Sequence, residues 1–145
     1  MAFKFSLEAL LKKNKYAEDL AKKSYAEAMG ELTLTIQKIK EQEKNIVDTR
    51  DDMARTQSQG GLVLSQLEYC TGYIKGAQQK IANLQVVARE QMEVVEDRKR
   101  AMIAARQEYK KIEVLRDKRL KEYRLKEKKK AEKRLDDIII MRNRK

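Results

Sequence analysis

The side chains best suited to recognise another molecule form two groups, a basic run late in the sequence and a pair of tyrosines near its middle. Residues 115–134 contain 11 Lys or Arg and four Asp or Glu, a net charge of +7. Tyr69 and Tyr73 stand one helical turn apart, beside Gly72 and Gly76. Aromatic rings with small neighbours can offer a partner a flat surface and close approach to the backbone. The tyrosines therefore predict either a docking patch or rings that lie against a helix flank.

Catalytic chemistry has few candidates in this sequence. It contains no histidine, which excludes an imidazole base and a histidine metal ligand. The single cysteine, Cys70, excludes an intramolecular disulfide and a multi-cysteine metal site, and it is expected to act as a small hydrophobe. No glycine-rich loop follows a strand, so no phosphate-binding cradle is predicted. We therefore expect no enzyme activity, no cofactor and no metal site.

Hydrophobic periodicity predicts long α-helices. In residues 11–53 every seventh residue is apolar or aromatic except Glu18. The same spacing returns in residues 67–109, and a companion line in residues 70–112 alternates with it at spacings of three and four. This pattern is typical of a left-handed coiled coil. The absence of proline and the abundance of Lys, Glu, Ala, Leu and Met favour uninterrupted helices.

Two adjacent glycines, Gly60 and Gly61, lie among small polar residues and predict a tight reversal. The expected fold class is all-α: a long antiparallel two-helix coiled coil, or helical hairpin, forming a single domain. Helix 1 is expected at residues 5–57, the turn at 58–61 and helix 2 at 62–140.

Folding about this turn places the apolar positions of the two helices opposite each other in six layers. The exception is Glu18, which is expected to face Met102. At the start of the first helix, Phe5 is expected to pack onto Leu10 as a hydrophobic staple.

The second helix is predicted to be longer than its partner. It has partners to about Ile112, so residues 113–145 are expected to form an unpaired basic overhang. The apolar run at residues 138–141 is expected to plug into a partner or to pack at a frayed end. No stretch approaches the roughly 20 apolar residues that span a bilayer, and no signal peptide is recognisable.

The basic overhang has three interpretations: a solvated helix face, an insert into an acidic pore or ring, or a binder of nucleic acid or anionic membrane. Nucleic-acid binding is disfavoured because Tyr123 is the only aromatic residue within residues 115–145, which leaves few rings on which bases could stack. Against membrane, the run lacks an apolar face rich in Trp or Phe.

Several stretches, spread over nearly the whole chain, resemble the flagellar export protein FliJ family. They are the N-terminal pattern of Phe5, Leu7, Leu10, Leu11, Glu18 and Ala21, the segment YIKGAQQKI at residues 73–81, and the basic run followed by Leu135, Asp136 and Asp137. The resemblance implies a coupling protein of the flagellar type III export apparatus that is similar to the central shaft subunit of rotary ATPases.

The resemblance also implies three partners: the hexameric export ATPase near the open end of the hairpin, the cytoplasmic part of the membrane export gate, and export chaperones. No small-molecule substrate, nucleic acid or direct membrane insertion is expected. The expected gate-binding residues are Tyr69, Tyr73, Ile74, Ala77 and Ile81, although the family often has a larger apolar residue where this chain has Ala77. The expected ATPase-binding residues are Arg116, Lys118, Arg119, Lys121, Arg124, Lys126, Lys128, Lys129, Lys130, Lys133 and Arg134.

On this interpretation the chain is cytoplasmic, and peripheral at the cytoplasmic face of the inner membrane when bound to the export apparatus. Two alternatives stay open. One is a basic nucleic-acid-binding coiled coil, and the other is the equivalent shaft protein of a virulence type III secretion ATPase.

Overall fold

The described part of the chain, residues 2–61 and 63–144 of a computed structural model, forms two α-helices. Helix α1 spans Glu8–Ser58, and helix α2 spans Leu64–Asn143. The helices pack against each other, which confirms the predicted all-α antiparallel coiled coil. Helix α1 begins three residues later than expected, and α2 ends three residues later. The expected first residue of the second helix, Leu62, lies outside the described residues.

The reversal depends on two glycines. Gly60 has a φ of 145° and Gly61 a φ of 95°. Residues with a side chain rarely adopt this region, because Cβ clashes with the neighbouring backbone. The predicted Gly60-Gly61 reversal is therefore where the backbone needs glycine.

The chain divides by its contacts into two units, which are described separately. The unit formed by Lys22–Arg100 has an apolar core to which both helices contribute. Its buried members are Ala28, Leu32, Ala88 and Val95, with Tyr25 and Ile39 packed against them. All of these except Ala28 lie on the heptad lines described above. A polar contact also joins the helices, because Arg98 Nη1 donates a hydrogen bond to the Ser24 carbonyl oxygen at 3.0 Å.

The second unit comprises Met1–Ala21 and Ala101–Lys145, and it buries a carboxylate besides the apolar side chains of Phe5 and Leu11. Glu18 is only 4% exposed there. One of its carboxylate oxygens lies 3.8 Å from Arg106 Nε, and the other lies 3.8 Å from Lys15 Nζ. The expectation that Glu18 merely faces Met102 is thus incomplete, because a long arginine side chain from the opposite helix reaches the buried carboxylate.

In this second unit the helices stay paired beyond Ile112, where the sequence predicted pairing to end. Arg116 of α2 contacts Glu8, and Tyr123 of α2 contacts Phe3. Five positions separate Phe3 from Glu8, whereas seven separate Arg116 from Tyr123. Residues 2–7 lie outside α1, and the segment as a whole covers more of α2 per residue than the 1.5 Å rise of a helix would allow.

Phe5, which the sequence predicts to pack onto Leu10, contacts α2. It is 8% exposed, with the guanidinium of Arg119 lying 5.5 Å from its ring centroid, while Leu10 is 38% exposed. Residues 5–7 precede the helix, so Phe5 can reach across to α2.

Candidate partner-binding surfaces

A shallow groove lies between the two helices near the reversal, within the unit formed by Lys22–Arg100. It consists of two adjoining depressions of about 330 and 260 Å³. We call it the tyrosine groove, and its lining residues are Thr49, Asp52, Met53 and Thr56 of α1 with Ser65, Gln66, Tyr69, Cys70 and Tyr73 of α2. Both predicted tyrosines line it, beside one carboxylate, that of Asp52.

The two rings are open to solvent. Tyr69 is 76% exposed and Tyr73 is 43% exposed. A Cβ atom added to Gly72 or Gly76 would meet nothing within 4 Å, so the space above the backbone at both positions is empty. The groove therefore offers two aromatic faces, and a stretch of bare helix backbone adjoins Tyr73.

The other three expected gate-binding residues have a different placement. Ala77 is 3% exposed, and Ile74 and Ile81 are half-buried on the apolar seam. These side chains hold the helices together, so their substitution changes stability before it changes any surface.

The basic arm, residues 116–134 of α2, presents nearly all of its predicted cations to solvent. Nine of the 11 expected ATPase-binding residues are exposed and, within the described part of the chain, form no hydrogen bond or ion pair with α1: Lys118, Lys121, Arg124, Lys126, Lys128, Lys129, Lys130, Lys133 and Arg134. Among these, Lys130 lies 3.8 Å from Glu127 of its own helix, a pair that solvent weakens. The remaining two, Arg116 and Arg119, are engaged by the segment that precedes α1.

That segment, residues 3–8, is here called the clasp. Its contacts with α2 include a ring pair, a cation–π contact, a hydrogen bond and an ion pair. Phe3 and Tyr123 have ring centroids 5.5 Å apart, and Phe5 lies beneath Arg119. Arg119 Nη1 donates a hydrogen bond to Ser6 Oγ at 2.9 Å.

The ion pair of the clasp joins Arg116 Nε and a Glu8 carboxylate oxygen at 3.3 Å. The Nε atom is buried but lacks hydrogen-bond geometry with any acceptor, so this contact is electrostatic and not a directed hydrogen bond. The two side chains are 43% and 40% exposed, which places the pair among the weakly stabilising ones.

A second polar contact of this unit changes two pKa values. The hydrogen bond between Tyr109 and Glu113 raises the pKa of the Tyr109 hydroxyl, and desolvation raises it further. The same bond, together with one from Lys110, lowers the pKa of the Glu113 carboxyl. Both side chains lie on α2, where Lys15 of α1 adds a cation 5.1 Å from the Tyr109 ring centroid.

Within residues 2–61 and 63–144, no three Cys, Asp or Glu side chains are grouped so that they could hold a metal ion. In the same residues, neither helix has a stretch both long and apolar enough to cross a bilayer.

Comparison with known proteins decides the family. The sequence profile described as "Flagellar FliJ protein" matches residues 3–145. The chain belongs to the FliJ family. No curated protein and no solved structure gives a significant match.

Membership in the FliJ family confirms the resemblance read from the sequence. This FliJ-family chain is a flagellar type III export-related protein, and its family is a non-catalytic one. Membership also implies interaction with the flagellar export apparatus.

Two features of this FliJ-family chain escaped the sequence reasoning. Asp52 joins the tyrosine groove, and its place next to the last residue of the 11–53 heptad line, Met53, is a signal that it lies near α2. The clasp had no such signal, because residues 3–8 are too few to show a period.

Proposed function

We propose that the chain is an accessory and coupling protein of the flagellar type III export apparatus. Its basic arm binds the hexameric export ATPase, its tyrosine groove binds the cytoplasmic part of the export gate, and it also binds export chaperones. The chain acts through these partners without chemistry of its own. It is cytoplasmic, and peripheral at the cytoplasmic face of the inner membrane when bound to the apparatus.

The observation that carries the ATPase assignment is the exposure of the basic arm. Beyond Tyr123, residues 124–134 contain seven Lys or Arg and two Glu, and all are exposed. Cations at this density attract an acidic surface over a Debye length of about 8 Å at physiological salt. An ATPase ring lined by carboxylates fits this arm, and many exposed side chains can contact it at once.

The gate assignment depends on the tyrosine groove. Exposed Tyr69 and Tyr73 supply large rigid surfaces, the residue type most often found at binding hot spots. Asp52 adds one negative charge at the same place. The groove therefore fits a partner that presents apolar side chains beside a Lys or Arg.

A truncation tests the arm. Ending the chain after Tyr123 removes most of the exposed cations but retains every clasp contact, so the hairpin stays paired. Binding to the purified cognate ATPase ring is measured by biolayer interferometry at two salt concentrations. We expect the full chain to bind with strong salt dependence and the truncated chain to lose most of its affinity. Equal binding by the two chains would contradict the assignment.

Substitutions in the arm separate charge from helix length. Lys128→Gln, Lys129→Gln and Lys130→Gln together keep the helix and remove three positive charges. We expect weaker binding and a shallower dependence on salt. The matched control replaces three exposed cations of the other unit, Lys38→Gln, Lys40→Gln and Lys44→Gln, and is expected to bind the ring as the parent chain does.

One substitution tests the groove. Tyr73→Ala removes a ring that is partly exposed, so the thermal melt should change little. We expect binding to the purified cytoplasmic part of the gate to fall by roughly tenfold or more, as for a hot-spot ring. Tyr16→Ala, at a ring 66% exposed on α1 and outside the groove, is the control. Unchanged gate binding by Tyr73→Ala would remove the groove from the proposal.

The same exposed arm keeps a nucleic-acid-binding coiled coil as a second candidate. Fluorescence anisotropy with a labelled duplex and a labelled single strand distinguishes the two. Binding of nucleic acid at physiological salt, together with no binding to the ATPase ring, would favour the second candidate.

A further inference from the structure

The clasp occupies the first two cations of the basic arm. Glu8 contacts Arg116 at 3.3 Å, and Arg119 Nη1 donates to Ser6 Oγ at 2.9 Å while its guanidinium covers the Phe5 ring. A carboxylate from a partner would bind the same two guanidinium groups, those of Arg116 and Arg119. While the clasp is in place, these groups are already engaged.

The contacts differ in how easily they exchange. Glu8 and Arg116 are each about two-fifths exposed, and Arg119 is exposed, so water and other anions can compete for the polar contacts. Phe5 is 8% exposed and is the one clasp residue that is buried. The clasp is therefore anchored by buried Phe5, with the Phe3–Tyr123 ring contact and replaceable polar contacts around it.

From this geometry we propose that the clasp is a displaceable internal occupant of the basic arm. An acidic partner that reaches Arg116 and Arg119 must first displace residues 3–8, so the clasp weakens binding to polycarboxylate surfaces. The inference deepens the proposed function, since it assigns regulation to the same arm that is proposed to bind the ATPase.

The net charge of the clasp indicates whether it affects the association or the dissociation of an acidic partner. Residues 3–8 contain one cation, Lys4, and one anion, Glu8, so their displacement leaves the net charge near the arm unchanged. Long-range electrostatic steering sets association rates, whereas contacts made after encounter set dissociation rates. Release of the clasp should therefore slow dissociation of an acidic partner and leave association unchanged.

The test uses the full chain and poly-L-glutamate as the carboxylate probe. Phe5→Ala removes the anchor without changing charge. We expect it to bind the probe about fivefold more tightly, the factor that corresponds to a contact at the upper limit for an exposed ion pair. Surface plasmon resonance should assign the gain to slower dissociation.

The decisive comparison combines variants. Arg116→Gln with Arg119→Gln should have a small effect in the parent chain, where the clasp engages both guanidinium groups, and should abolish the gain in the Phe5→Ala chain. Leu20→Ala, at an exposed leucine of α1 outside the clasp, is the matched control and should bind the probe as the parent does. Circular dichroism verifies that helix content is retained in each chain.

A second variant covers the case in which Phe5→Ala frays the start of α1. Glu8→Gln keeps the anchor and frees Arg116, so it should tighten binding by more than Glu122→Gln, which removes one negative charge at an exposed position of the arm outside the clasp. The extra gain should vanish when Arg116→Gln is added. Unchanged or weaker binding by both Phe5→Ala and Glu8→Gln overturns the inference, as does a gain that survives loss of both arginines. Because the probe is not the ATPase, a failure of the ring-binding experiments leaves this result interpretable by itself.

Discussion

The two units of this chain differ in what they bury: both bury apolar side chains, but one also buries a carboxylate. In Lys22–Arg100 the helices meet through an apolar cluster that includes Leu32 and Ala88. In the other unit a buried position is occupied by Glu18, whose carboxylate contacts cations of both helices. Apolar burial responds weakly to salt, whereas charge contacts are screened by it. The unit that carries the basic arm is therefore the one whose stability depends more on ionic conditions.

The largest expected effect on stability comes from a substitution in the apolar core of Lys22–Arg100. Leu32→Ala removes a side chain that is 8% exposed in the centre of the cluster, and it should lower the free energy of unfolding by about 2–5 kcal/mol. Urea unfolding followed by circular dichroism measures the loss. Leu34→Ala, at a leucine 59% exposed, is the control and should change it by about 0.5 kcal/mol or less. Similar losses for both variants would show that the cluster is not the main source of stability.

The next largest effect is expected when the buried carboxylate is replaced by an apolar side chain. Glu18→Leu removes a carboxylate that is held away from water, while Lys15 and Arg106 are 47% and 58% exposed and remain hydrated. We expect the free energy of unfolding to rise by about 1–3 kcal/mol, as when buried ion pairs are replaced by apolar residues. The salt dependence of the melting temperature should also become smaller.

A Glu18→Gln chain separates charge from packing in that experiment. It keeps the side-chain length, so it should lose the salt dependence without the apolar gain. A Glu18→Leu chain that is less stable than the parent would show that the charge contacts stabilise this seam better than an apolar layer would.

A smaller effect concerns the surface of the apolar unit. Gly76→Ala places a methyl group in empty space within α2 and should raise the free energy of unfolding by about 0.5–1 kcal/mol. If the gate approaches this backbone, the same change weakens gate binding. Gly30→Ala, which also meets nothing within 4 Å, should give the stability gain and leave gate binding unchanged. Equal gate binding by both variants would show that the bare backbone is not part of the surface.

The smallest expected effect is a pH dependence of stability that arises from the pair Tyr109 and Glu113. The pKa of Glu113 is lowered, so the stability from its bond with Tyr109 is present at neutral pH and is lost as the pH falls through that value, below pH 4.5. The pKa of Tyr109 is raised, so the same stability is lost as the pH rises through it, above pH 10.0.

Melting temperatures of the parent chain and of a Tyr109→Phe chain, compared across this pH range, measure that dependence. We expect the parent to be the more stable at neutral pH and the difference to shrink at both extremes. A difference that is independent of pH would mean that Tyr109 contributes by packing alone.

The sequence predicted the parts of the fold that depend on repetition. The heptad lines gave the helices, their antiparallel pairing and buried positions such as Leu32 and Val95, because a seam leaves a periodic trace in the residue types. Gly60 and Gly61 were predicted as the reversal since few other residues accept their φ values. Tyr69 and Tyr73 were recognised by their position off the seam.

The features that the sequence did not predict are single contacts between side chains that are far apart in the sequence. Phe5 packs beneath a side chain more than 100 positions away, and this happens because the residues before Glu8 are not helical. Arg106 meets Glu18 through a long flexible side chain, which a comparison of backbone positions does not capture. Single contacts of this kind leave no repeat in the sequence.

The position of Cys70 has a practical consequence. Its thiol is half-buried, lines both depressions beside Tyr69, and is the one sulfhydryl group in the sequence. A fluorophore coupled to it would label the natural chain at one defined place, with no engineered residue. The intensity of its emission would change in real time when a partner binds to the neighbouring aromatic rings.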